Sequence, residues 1–185
     1  MNEPASKYFL AIIPPEPVYG EAMALKEYFR DQHNSKGALR SPPHITLHMP
    51  FLWPDRKVDL LQKSIEAFSV TQQPVEIRLR QFGCFEPRVI FIGVESSEAL
   101  TSLQKISDRF FKTELNVFSA NYRDQPFHPH LTIAFRDLKK DEFKKAWNTF
   151  QEKKYEATFT AENFTLLRHD GKKWIAWKNF RLGKN

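Results

Sequence analysis

Two short stretches decide the reading of this chain: Pro43-His44-Ile45-Thr46-Leu47 and Pro129-His130-Leu131-Thr132-Ile133. Each is proline, histidine, aliphatic, threonine, aliphatic. One His-x-Thr is unremarkable, but two with the same flanks arise by chance on the order of one time in a thousand or less. On a strand, residues two apart share a side, so His44 and Thr46 face one way and Ile45 and Leu47 the other; the second stretch behaves alike. The polar face needs a cleft and the apolar face a core. A proline before each histidine removes a ladder donor, which is tolerated at a strand's start, so each histidine belongs at a strand entrance.

Outward from these two strands, apolar runs rich in Val, Ile and Phe predict further strands over 7–13, 74–82, 88–95, 155–160, 162–169 and 173–181, with the motif strands themselves over 43–50 and 129–135. Apolar residues at Val18, Ala22, Leu25 and Phe29 share one helical face and predict a helix over 17–33. Similar spacing predicts helices near 56–69, 97–113 and 139–151, the third opened by Ser96-Ser97 as candidate caps. This order is an α+β pattern with several antiparallel neighbours, not a regular parallel winding. Gly171-Lys172-Lys173, after Asp170, reads as a hairpin turn. The long irregular segment 116–128, just before the second motif, is a candidate functional loop.

The 185 residues suit one domain, 1–185, or two small lobes sharing a core, and 41% hydrophobic content with seventeen Phe supplies that core. The single Cys84 lies between Phe82 and Phe85 and cannot form an internal disulfide, which fits a reducing compartment. The N-terminal run Tyr8 to Ile13 is too short for a signal sequence and no segment approaches the ~20 apolar residues that span a bilayer, so a cytoplasmic location without a membrane partner is expected. A net charge of +6 favours polyanions only mildly. The pairs Lys139-Lys140 and Lys144-Lys145 lie within one expected helix and read as a solvated face.

The chemistry of phosphorus explains why the motif comes twice. In-line displacement needs one group to take a proton from the nucleophile and another to give one to the leaving oxygen. Two imidazoles titrating near neutrality can do both, and each threonine hydroxyl can donate to a non-bridging oxygen. On these motifs, and on the order of elements around them, the sequence resembles the two-histidine phosphoesterase superfamily, in its bacterial 2'-5' RNA ligase and RNA 2',3'-cyclic phosphodiesterase branch. The resemblance implies a bilobal α+β fold with two pseudo-symmetric lobes, each an antiparallel sheet with flanking helices, and an active site in the cleft between them. It implies metal-independent opening of a 2',3'-cyclic phosphate at an RNA or nucleotide end to a 2'-phosphate, with 2'-5' RNA ligation as a related activity, by a monomer without a cofactor. His44 with Thr46 and His130 with Thr132 become the catalytic pairs, His44 as proton donor and His130 as acceptor.

Other residues stand close by. His48 continues the His44 and Thr46 series and His128 precedes His130 by two, so four histidines near one cleft admit a zinc hydrolase as an alternative, although threonine is a poor zinc ligand and no Asp, Glu or Cys stands at ligand spacing. Arg40 and Arg123, in the loops entering the motif strands, are candidates for phosphate. Tyr8, Phe9, Phe51, Phe82, Phe85 and Phe127 are candidates for stacking on a base, although most of them belong to a core. Arg40, His48, Arg123, Phe127 and His128 are thus the candidate substrate-binding residues. Another cyclic phosphate, such as an ADP-ribose cyclic phosphate, and a nonenzymatic RNA-binding module are the competing functions.

Overall fold

A computed structural model describes residues 3–118 and 126–183. Strand β1 (Ala5–Ile12) leads through helix α1 (Val18–His33) and a 3₁₀ turn (Gly37–Arg40) to β2 (Ile45–Pro54), then α2 (Val58–Ser69). The chain continues through β3 (Val75–Phe85), β4 (Val89–Val94), α3 (Glu98–Glu114), β5 (His130–Ala134), α4 (Lys140–Phe150), β6 (Glu156–Ala161), β7 (Asn163–His169) and β8 (Trp174–Arg181). These are the eight strands and four helices that the periodicity predicts. Ser97 caps α3, its hydroxyl accepting from the Leu100 amide at 3.1 Å. The β7–β8 turn closes on Asp170, whose carboxylate accepts from the amides of Lys172 and Lys173, while Gly171 takes the positive φ of 98° that the turn needs.

All strand pairings are antiparallel, and the order across the single eight-stranded sheet is β6-β3-β4-β5-β2-β1-β7-β8. The α+β class is as expected, and the four-stranded halves are joined in one sheet. They meet where β2 pairs β5 at the register Ile45 opposite Leu131, the central residues of the two motifs. Both are fully buried. An antiparallel pair has a local two-fold axis between its strands, so His44 and Thr46 on one strand and His130 and Thr132 on the other share the opposite face of the sheet.

The two-fold relation reaches further into the fold. Helix α1 packs on β5 of the other half, and α3 packs on β2. Each crossing helix therefore straps the junction from behind, and the main core takes residues from all four helices together with Ile45 and Leu131. No helix among the described residues is long and apolar enough to cross a membrane.

Both motif strands also carry the same irregularity. Across β1–β2 the register runs Ile12 to Ile45 and Ala11 to Thr46, then Leu10 to His48, leaving Leu47 as an extra residue. Across β4–β5 it runs Ile92 to Leu131 and Phe91 to Thr132, then Ile90 to Ala134, leaving Ile133. A β-bulge thus follows each motif threonine and shifts the alternation beyond it by one residue. A second irregularity between Tyr8 and Leu10 takes up Pro50, which has no amide to give the ladder, and lets β2 run on to Pro54, beyond the expected end at 50.

Because the junction rests on so few residues, Ile45→Ala is expected to destabilise the whole domain by about 2–5 kcal/mol, the usual range for a fully buried aliphatic. Urea unfolding followed by circular dichroism measures this, and a loss below about 1 kcal/mol would show that the strapping helices hold the junction without Ile45.

Candidate active site

Each motif histidine is held by the same backbone bond. His44 Nδ1 lies 2.7 Å from the Pro42 carbonyl oxygen and His130 Nδ1 lies 2.8 Å from that of His128. A carbonyl can only accept, so Nδ1 carries the proton in both rings and Nε2 is left with its lone pair. The intervening prolines, Pro43 and Pro129, are buried, which fixes the short loop that brings each carbonyl under its ring. All four motif side chains are half-buried.

Aromatic rings support both imidazoles. Phe9 lies 4.9 Å from His44 between ring centroids, and Trp174 packs edge-on to Phe9 at 4.7 Å. Phe9, Ala11 and Leu167 form a small buried cluster with Trp174, separate from the main core. On the other half, Phe85 and Phe91 lie 5.0 and 5.1 Å from His130. Gly83 makes room for this, because a Cβ there would meet the Phe91 ring at 2.4 Å.

Burial sets the charge of these rings. It pushes His44 down to about 4, helped by the nearby Lys26 charge and to a lesser degree by His130, and opposed by the bond to Pro42. His130 is also lowered, first by burial and then by His128, against the bond to the His128 carbonyl. Both imidazoles are therefore neutral near pH 7 in the free protein.

The approach to His44 is clamped by residues that the sequence did not single out. The Asp137 carboxylate, just beyond β5, accepts from the Ser35 hydroxyl at 2.8 Å and from the amides of Lys36 and Gly37 at 2.6 and 2.8 Å. Gly37 has no room for a Cβ, which would meet Asp137 at 2.7 Å. Lys26, buried on α1, donates to the carbonyls of Ala38 and Ser41 at 3.0 and 2.9 Å. Helical spacing offers Leu25 at this turn of α1, so periodicity gives no signal for Lys26.

The remaining candidates divide. His128 is exposed beside the His130 cluster, 5.3 Å from Phe85 and 6.3 Å from His130 between ring centroids. Arg40 is exposed at the end of the 3₁₀ turn, two residues before the Pro42 carbonyl. Tyr8 and Phe51 are buried in the main core, which removes them from the stacking candidates; Phe82 and Phe127 are half-buried against that core, and Phe9 and Phe85 stay at the motif histidines. Arg123 lies outside the described residues, as does part of the 116–128 loop.

His48 is a correction. It does not share the cleft face with His44, because the bulge at Leu47 turns it inward, where it is 2% exposed and stacked on Phe111 of α3 at 4.1 Å. Its Nδ1 is bonded to the Met49 carbonyl and its Nε2 is buried without a hydrogen-bond partner among the described residues. His48 is thus withdrawn from the four-histidine arrangement of the zinc alternative, and no group of three or more His, Cys, Asp or Glu side chains among the described residues is placed to hold a metal.

Paired His-x-Thr strands, meeting about a two-fold axis within one antiparallel sheet, define the two-histidine phosphoesterase class. The family described as the 2'-5' RNA ligase superfamily matches residues 14–173, and the chain belongs to it. It is 28% identical over 181 residues to a "putative phosphoesterase" of Bacillus cytotoxicus, covering 96% of this chain and 98% of that one. A relative of the same description from a Geobacillus species is 26% identical, with 96% of both chains covered. Among solved structures, TT0787 of Thermus thermophilus superposes with a TM-score of 0.67 at 20% identity over 97% of this chain and all of that one. E. coli LigT in complex with 3'-AMP superposes with a TM-score of 0.68 at 18% identity over 98% and 100%. At these identities the superpositions establish the fold.

Two outcomes follow from the electrostatics. The His44 ring is expected to titrate near pH 4 in the free protein, and inorganic phosphate, by bringing negative charge to Nε2, is expected to raise that midpoint. Ring-proton NMR with and without phosphate reads the shift, and an unchanged midpoint at saturating phosphate would remove His44 from the anion site. His48, pushed down to about 4 by burial, lets the unfolded chain bind more protons between pH 6.5 and 4, so its contribution to stability is whole above pH 6.5 and is lost as the pH falls through 4. His48→Phe is therefore expected to move acid unfolding to lower pH and to leave turnover within about two-fold of wild type, since the ring is buried against Phe111 with Asp108 of α3 as its one charged neighbour among the described residues, at 3.9 Å. A ten-fold fall in turnover with the fold intact would restore His48 to the site.

Proposed function

We propose that this chain is a metal-independent phosphoesterase that opens 2',3'-cyclic phosphates at RNA or nucleotide ends to 2'-phosphates, with His44, Thr46, His130 and Thr132 as its catalytic residues. The observation that carries this reading is the pair of imidazoles, each anchored through Nδ1 to a carbonyl and each with a threonine two residues on, on either side of one sheet junction. The 3'-AMP complex of LigT, a protein of the same fold, supports a nucleotide ligand.

In the reaction, one Nε2 takes a proton from water as its oxygen attacks phosphorus, the P–O3' bond breaks, and the other Nε2–H gives its proton to O3'. A 2'-phosphate and a free 3'-hydroxyl result. The threonine hydroxyls donate to the non-bridging oxygens, where negative charge builds. One ring must start protonated, and the bound phosphate supplies the negative charge that restores the proton affinity burial removes. The hydroxyl of an RNA 5' end in place of water would give 2'-5' joining by the same proton transfers. We place this activity in a cytoplasmic monomer.

The test is turnover of nucleoside 2',3'-cyclic phosphates and of a short RNA with a cyclic phosphate end, in EDTA, for wild type, His44→Ala and His130→Ala. Wild type should release 2'-phosphates, and each substitution should cost at least ~100-fold in kcat. Abolition by EDTA would overturn the metal-free mechanism, and inert cyclic ends with turnover of an ADP-ribose cyclic phosphate would move the reading to that substrate.

A further inference from the structure

We infer that Lys26 is a positioning residue for His44: its ammonium, sealed beneath the 38–41 turn, fixes the backbone that holds the His44 ring. The inference rests on His44 being catalytic, as proposed above.

The geometry begins with the burial of a charge. Lys26 is 1% exposed and makes no ion pair among the described residues, a costly state for an ammonium group. Two of its three donors go to the carbonyls of Ala38 and Ser41. The next residue, Pro42, supplies the carbonyl that accepts from His44 Nδ1. A short, stiff path therefore runs from Lys26 Nζ through Ser41 and Pro42 to the ring. The charge acts by a second route, since Lys26 is the largest charged influence on His44 after burial, and it lowers the ring's proton affinity. Lys26 is itself pushed down to about 7 by its burial, so its charge changes within the range in which an enzyme works.

The internal two-fold shows what is particular to this residue. The buried stripe of α1 is Val18, Ala22, Lys26 and Phe29, and that of α3 is Leu100, Leu103, Ser107 and Phe111. The third buried residue of α3 is Ser107, whose hydroxyl is satisfied within its own helix by the Leu103 carbonyl at 2.8 Å. Among the described residues, Ser107 supplies neither a cation nor a helix-to-loop tether to the His130 side. A reaction that needs one donor and one acceptor on a nearly symmetric frame requires something to break the symmetry, and Lys26 breaks it at His44. The other charged groups around it are engaged or turned away: Arg40 on the turn is exposed, Asp137 is bonded to residues 35–37, and Glu142 of α4 is paired with His33 and Lys145. His130, on β5, is the remaining titratable group that acts on His44.

Two variants separate tether from charge. Lys26→Gln keeps a neutral donor and loses the charge, whereas Lys26→Met loses both. The His44 midpoint, read by NMR without any substrate, should rise by about half a pH unit or more in both. The limb of kcat/KM that His44 controls should move up with it. The kcat of Lys26→Met should fall about ten-fold or more with KM within two-fold, and Lys26→Gln should recover part of that loss. Folded variants in which the His44 midpoint, its Nδ1–H tautomer and kcat all match wild type would overturn the inference. Should neither variant fold, the wild-type titration decides: the His44 ring must show a second inflection near pH 7 as Lys26 loses its charge, and a flat response there would refute the coupling. Absent turnover of cyclic phosphates would overturn the substrate proposed above and leave these substrate-free readings to stand or fall separately.

Discussion

The pairing of Ile45 with Leu131 is the contact on which the rest of this structure depends. It joins two four-stranded halves into one sheet, and it sits on the pseudo-two-fold axis. Because the side chains of a strand alternate, burying these two aliphatics commits the residues on either side of each to the other face. The site is thus a by-product of core packing: the hydrophobic term that holds the halves together also aligns the four polar side chains. Helices α1 and α3 reinforce the arrangement by crossing to the opposite half.

Much of this was legible in the sequence because it rests on periodicity. The two motifs alternate cleanly for four residues, and the stripes of α1 and α3 repeat at helical spacing. The failures come where a tertiary feature resets the period. Leu47 is an ordinary aliphatic strand position in every respect that periodicity can weigh, yet it is the extra residue of a bulge, and it sends His48 to the core. Leu25 fits the α1 stripe by spacing, while the fully buried position one step on belongs to Lys26. Composition favours the aliphatic there, and only the carbonyls of a turn twelve to fifteen residues away explain the lysine. Asp137 is hidden from the sequence for the same reason, since its partners lie about a hundred residues back along the chain.

A phosphate site built from neutral bases has a particular economy. Fixed cations in the cleft would bind phosphate tightly before and after reaction alike, which lowers KM without raising kcat. In the proposed reaction the motif rings would be uncharged until the ligand arrives, so the favourable charge interaction would develop with binding and proton transfer. The carbonyl bonds to Nδ1 keep the rings oriented meanwhile, and the aromatic contacts of Phe9, Phe85 and Phe91 restrict their tilt.

The strand order has a consequence for how such a chain is made. Strand β1 lies between β2 and β7, and β2 lies between β1 and β5, so the first motif strand has one open edge until residues 130–134 exist, and β1 until residues 163–169 exist. Synthesis proceeds from the N-terminus, so neither half can close before β5 and β7, respectively, have been made. Strands β1 and β2 emerge as an antiparallel pair connected through α1, whose outer edges remain available to any other strand nearby. The ladder between β1 and β7 spans most of the chain, and folding is correspondingly slow to commit. The internal symmetry that sets the two motif strands side by side therefore also leaves the protein unable to fold one motif at a time.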